Sequence, residues 1–269
     1  MGGIKTYYKL SNYDSVRGVI GHECINELIV DRLLTRLGVE HLSYQLIHAD
    51  VLLDGRVQEV WLCASEDFKQ TGESKIALDA YYQAERLSPS ETPLQFCIRN
   101  GWEEYIYTML VVDYLILNRD RHGANIEVLR NRRRKSIRLA PLFDHGLSFV
   151  FRCETPEQLA NEDVRADKKV QCFVGSHSSS IGSRIRIGFC TQSTSIGSRI
   201  RIGFCTQSTW ENLKLIPKDK RPRLNVLTEA DRSVIMNELD DALPKPWQDK
   251  IWDMIWRRWL AYENLCNQG

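Results

Sequence analysis

Asn118-Arg119-Asp120-Arg121-His122-Gly123-Ala124-Asn125, followed downstream by Phe143-Asp144-His145-Gly146, is the stretch on which the fold class turns. Asp120 and Asn125 stand five residues apart, directly after a strongly apolar segment at 105–117 that reads as a helix. That helix ends where the loop begins, so both side chains leave the core at one place. Transfer of a γ-phosphoryl group needs a carboxylate to orient or deprotonate the acceptor hydroxyl. It also needs oxygen ligands for Mg²⁺ and a cation that positions the phosphates, often through a partner Glu. An Asp and an Asn five apart have the spacing of catalytic base to metal-binding Asn in a kinase catalytic loop. Segments 126–130 and 137–139 flank the basic turn Arg132-Arg133-Arg134-Lys135 and read as a hairpin, after which Asp144 offers a second acidic metal ligand. Gly146 is expected to let the backbone turn sharply beside it. The order of loop, hairpin and Asp-x-Gly is more specific than either motif alone. His122 is expected to support the catalytic loop by hydrogen bonding, since an Asp already holds the base position.

Upstream, Tyr7-Tyr8-Lys9-Leu10 is a β-prone run. From Gly21, Cys24, Leu28, Leu33-Leu34 and Leu37 recur at helical spacing up to Gly38. Strands are expected at 43–51 and 57–63, joined at Asp54-Gly55, a strong hairpin signal. Lys9 with Glu23, near the start of the intervening helix, would form the phosphate-positioning pair; Glu27, one turn later, is the competing Glu. Beyond 63 the pattern predicts helices at 76–87, at 92 or 93 to 100, at 228–243 behind a Thr228 cap, and at 247–265. Trp252, Trp256 and Trp259 share one face of the last, a pattern of core packing. Residues 180–194 and 195–209 are the same fifteen-residue string twice. Two identical copies are not a solenoid. Their Arg-Ile-Arg-Ile segments could pair as a hairpin, and the stretch at about 175–209 reads as a surface insertion.

Composition bounds the class without naming the chemistry. The chain has 269 residues, 43% hydrophobic and 26% charged, with a formal net charge of +1. No global field therefore draws it to nucleic acid or to an anionic membrane. The local runs Arg130-Asn131-Arg132-Arg133-Arg134-Lys135 and Lys218-Asp219-Lys220-Arg221 read as solvated loops. No apolar run approaches the roughly 20 residues of a membrane span. Eight scattered cysteines without a Cys-x-x-Cys pair argue against a zinc site and a disulfide framework, so a reduced, cytoplasmic protein is expected.

Asn118-x-Asp120-Arg121-His122-x-x-Asn125 and Leu139-Ala140-Pro141-Leu142-Phe143-Asp144 resemble the catalytic core of HipA-like kinases. These are bacterial serine/threonine kinases, many of them toxins of toxin–antitoxin pairs. The resemblance is strongest over 105–150 and extends weakly back through Ser65-Glu66-Asp67-Phe68 to Tyr8-Lys9-Leu10. It implies an α+β, protein-kinase-like fold of two lobes, a small β-rich lobe at 1–68 and a helical catalytic lobe at 69–269. It implies ATP and Mg as cofactors, Asp120 as catalytic base, Asn125 and Asp144 as Mg²⁺ ligands, Lys9 in contact with ATP, and the strand 60–64 against adenine. A protein substrate and a helix-turn-helix antitoxin are the implied partners. Family members carry a glycine-rich phosphate loop before the lysine strand, where only Met1-Gly2-Gly3-Ile4-Lys5-Thr6 stands here. A small lobe truncated at its N-terminus is therefore expected. Two other readings stay open: a catalytically impaired relative acting as a binding module, and a kinase acting on a lipid or small-molecule hydroxyl.

Overall fold

A computed structural model describes residues 5–175 and 207–268. The first strand, β1 (Thr6–Leu10), is followed by the two-residue strands β2 (Tyr13–Asp14) and β3 (Gly18–Val19), then by α1 (Glu23–Leu37). The long hairpin β4 (Gln45–Leu53) and β5 (Arg56–Glu66) turns at Asp54 and Gly55, with φ of 48° and 77°. Both central residues are thus left-handed, the backbone that matches the twist of a two-residue hairpin. β5 lies between β1 and β4, antiparallel to both, and Lys9 stands opposite Cys63. α1 packs on this sheet with Cys24, Ile25, Leu28, Ile29, Leu33 and Leu37 in the core.

Residues 76–87 do not form the one helix that their spacing predicts. Glu73–Ala77 is a strand, β6, and only Leu78–Glu85 is helical, α2. The edge of β8 (Glu127–Asn131) decides this: Ile76 pairs with Val128, and β9 (Ser136–Leu139) completes a three-stranded antiparallel sheet. The intervening elements are α3 (Pro93–Arg99), α4 (Glu103–Leu115) and β7 (Asp120–Arg121). α3 starts with a capping box between Thr92 and Gln95 and a proline in its first turn. α4 is apolar nearly all round and is buried on most of its surface, as that composition requires.

Beyond the second sheet come α5 (Pro156–Asn161), β10 (Gln171–Cys172), α6 (Thr209–Leu213), α7 (Arg232–Ile235) and α8 (Lys245–Asn267). The helix expected over 228–243 is only a 3₁₀ turn and the four-residue α7. Arg32 of α1 takes the carbonyls of Ile235 and Asn237, at 3.1 and 2.6 Å, and Glu238 is left-handed at φ 53°. Those carbonyls are bonded to a guanidinium instead of to the next helical turn. In α8, Trp252 and Trp259 are buried, and Trp256 stacks on Trp252.

Most of the duplicated string, with its expected hairpin, lies outside the described residues. Its last three residues are bonded to the rest of the described fold. The Gln207 carbonyl accepts from Val170 N–H, Ser208 caps α6, and Thr209 is buried with its hydroxyl donating to Asp167. Among the described residues no helix is long and apolar enough to cross a membrane.

Candidate active site

The loop after α4 is held from within. Leu117 adopts φ 50°, a backbone that non-glycine residues rarely take, and reverses the chain out of the helix. Asn118 is fully buried; its amide donates to Asp113 Oδ1 at 2.9 Å and its amide oxygen accepts from Asp120 N–H at 3.1 Å. β7 then runs parallel to β10, which fixes the backbone at Asp120 while leaving its carboxylate 29% exposed. His122 Nδ1 accepts from Ala124 N–H, and its Nε2 lies 3.7 Å from Asp120 Oδ2. Asn125 Nδ2 donates to the Asp120 carbonyl at 2.7 Å. That bond leaves the amide oxygen, the atom of Asn suited to a hard cation.

The second cluster joins three distant segments. Lys9 Nζ of β1 lies 2.7 Å from Glu27 Oε1 and 2.5 Å from Asp144 Oδ1. Glu23 is not the partner: its Oε2 accepts from Asn12 N–H. Glu27, fully buried, also accepts from the N–H groups of His145 and Gly146, at 2.8 and 3.0 Å. Burial alone would lower the Lys9 ammonium, but the Glu27 and Asp144 carboxylates outweigh it and hold the lysine above its ordinary value. Burial pushes the Glu27 carboxyl up, against the pull of Lys9. At Asp144 burial acts in the same upward sense, yet Lys9 beside it holds the carboxyl below its ordinary value. The Asp144 and Lys9 side chains keep 38% and 41% exposure, so both face solvent.

Gly146 serves close approach. The left-handed residue is Asp144, at φ 59°, and not Gly146 as the sequence suggests. A Cβ on Gly146 would meet Glu23 Cβ at 3.0 Å and the Glu23 carbonyl at 3.2 Å. A side chain at this position would press on the first turn of α1, so glycine suits the close approach of the loop.

No family model and no curated protein sequence matches the chain. Among solved structures, that of a Helicobacter pylori proinflammatory kinase, CtkA, is similar to it. The two share 16% identity over 88% of this chain and 82% of that one, with a TM-score of 0.57. The fold is kinase-like.

Within that fold the sequence-derived residues fall into two groups. Asp120, His122 and Asn125 share the loop after α4, and Lys9 meets Asp144 from β1. The residue sequence reasoning passed over is Arg121. Its guanidinium is 1% exposed, pairs with Asp113 at 2.9 Å, and donates to the carbonyls of Asn125 and Phe143 at 3.2 and 2.9 Å. It thereby ties the Asp120–Asn125 loop to the Asp144 loop. One signal was available: Asp113 is an acid set among apolar residues in the last turn of α4, a position that demands a buried partner. Tyr44, whose hydroxyl accepts from Asp144 N–H at 3.4 Å, carries no such signal.

Proposed function

We propose that this chain is an ATP- and Mg²⁺-dependent phosphotransferase of HipA type, acting on a Ser or Thr hydroxyl of a protein. One observation carries the reading. Lys9, Glu27 and Asp144, far apart in sequence, converge on one ion-paired cluster, and Arg121 links the Asp144 loop to the loop of Asp120 and Asn125. In this reading 1–68 forms a small lobe, 69–269 forms the catalytic lobe, and β5 beside Lys9 faces the adenine. The choice of protein substrate, and an antitoxin partner, rest on the resemblance of the Asp120–Asn125 and Asp144 motifs to HipA-like kinases.

The residues fit the cofactor. Asp144 and Asn125 present hard oxygen donors of the kind that hold Mg²⁺ together with phosphates and water. When bound, the metal neutralises charge on the transferring phosphoryl group. Lys9 supplies the phosphate-positioning charge, kept in place by Glu27. Asp120 accepts or orients the hydroxyl proton of the acceptor, and its position depends on Asn118, Asn125 and β10. His122, near the Asp120 carboxylate, holds the loop.

Asp120→Asn is expected to lower phosphoryl transfer from labelled ATP by roughly 10²–10⁴-fold, the usual weight of a positioned acid or base. Asp144→Ala should abolish transfer while the circular dichroism spectrum is unchanged. Full activity in purified Asp144→Ala would overturn the assignment. Stabilisation of the wild type by ATP with Mg²⁺, without transfer to any hydroxyl, would mark a nucleotide-binding module instead.

A further inference from the structure

The segment 143–148 has no strand or helix of its own, yet its backbone is held by contacts from several directions. Arg121 takes the Phe143 carbonyl, Tyr44 takes the Asp144 N–H, and Arg119 N–H donates to the Leu147 carbonyl. The remaining contacts come from two consecutive residues of α1. Glu27 accepts the N–H groups of His145 and Gly146, and Asn26 Nδ2 donates to the carbonyls of Gly146 and Ser148 at 2.9 and 3.2 Å. Both partners of Asn26 are carbonyl oxygens, so only its nitrogen can make these bonds and the amide orientation is fixed by chemistry. Asn26 is 0% exposed and touches neither Lys9 nor the Asp144 carboxylate among its hydrogen bonds.

We propose that Asn26 is a positioning residue for Asp144, making α1 and the 143–148 segment one unit so that metal affinity at the site depends on its amide. Asp144 is left-handed, a conformation that Asp tolerates better than most non-glycine residues but that is still sparsely populated, so contacts that hold the segment favour it. Glu27 secures the N–H side of the segment but cannot satisfy its carbonyls. Removing the Asn26 amide leaves the Gly146 and Ser148 oxygens as buried acceptors without that donor. The segment is then free to shift away from α1, and the Asp144 carboxylate shifts with it. The metal part of this proposal rests on the kinase reading; the mechanical part does not.

The test uses the full chain with Asn26→Ala and, as a milder change that keeps a hydroxyl donor, Asn26→Ser. Amide hydrogen exchange reads the mechanical part. Exchange across 143–148 should accelerate in Asn26→Ala, with α4 and α8 unchanged and a smaller effect in Asn26→Ser. The Mg²⁺ concentration that half-saturates thermal stabilisation by ATP should rise about 10-fold, as for other residues that orient a metal ligand. ATP stabilisation without metal should stay as in the wild type. Unchanged exchange in both variants overturns the clamp. Accelerated exchange with an unchanged Mg²⁺ midpoint overturns the positioning role. A wild type that shows no Mg²⁺-dependent stabilisation by ATP overturns the kinase reading and the metal part with it, a failure visible before any variant is compared.

Discussion

Glu23 and Glu27 lie one turn apart on the same flank of α1, so helical spacing alone gives no ground for choosing between them. Position in three dimensions makes the choice. β1 sets Lys9 opposite Cys63, and the loop after Asp144 brings two N–H groups to Glu27. A carboxylate with a lysine and two amides around it can be fully buried; one turn earlier, Glu23 accepts from Asn12 N–H. Gly146 shows the same dependence on neighbours. Its replacement by Ala puts a methyl group 3.0 Å from Glu23 Cβ and 3.2 Å from the Glu23 carbonyl, so the loop or the first turn of α1 must give by a few tenths of an ångström. Gly146→Ala is expected to cost about 1–3 kcal/mol in urea unfolding, the usual range for overpacking. A midpoint equal to that of the wild type would show that the loop stands off α1.

Elements shift where distant partners compete with local preference. Residues 76–77 belong to a strand because β8 offers them a ladder, and the chain after Ile235 leaves the helix because Arg32 takes its carbonyls. Between α4 and the loop that follows it the decisive contact is the buried pair of Asp113 and Arg121. Arg121→Met should destabilise by about 3–5 kcal/mol, since it strands a buried carboxylate and removes the donor to two carbonyls. Adding Asp113→Leu should restore more than about 1 kcal/mol of that loss, because the uncompensated charge goes. Denaturant unfolding of the four proteins measures the cycle, and strictly additive losses would show the two side chains to be uncoupled. The apolar pattern of α4 was legible in sequence; the partner of its buried acid, Asp113, was not, because Arg121 is recognisable as buried only once β7 is placed.

For the whole molecule, acid stability follows from two buried histidines. Burial holds His22 at about 4, below its ordinary 6.5, and drives His145 well below its ordinary value. Both stay neutral in the fold while the unfolded chain takes up protons near pH 6.5. Stability is therefore complete above about pH 6.5 and is lost as pH falls toward 4, by about 1.4 kcal/mol per pH unit for each histidine. The melting temperature should fall below pH 6.5, and His22→Phe should flatten part of that fall; His41 acts in the opposite sense, since burial lowers its imidazole but Asp31 and the Val39 carbonyl outweigh it and hold it above its ordinary value. An identical slope in His22→Phe would refute the assignment. Glu27 has the opposite sign, since its raised carboxyl gains stability on acidification, and comparison with the variant at each pH separates the two. At this scale the sequence by itself determined what local chemistry can specify. That includes the Asp54-Gly55 turn, the apolar α4, the tryptophan face of α8, and the Asp120, Asn125 and Asp144 spacing that pointed to a kinase-like core. Tertiary structure alone decided that Glu27 meets Lys9, that β6 is a strand, that α7 stops after one turn, and that Asn26 and Arg121 hold the Asp144 loop. Turn chemistry and periodicity act between near neighbours in the chain, whereas these contacts form between segments up to about two hundred residues apart, where no local pattern records the partner.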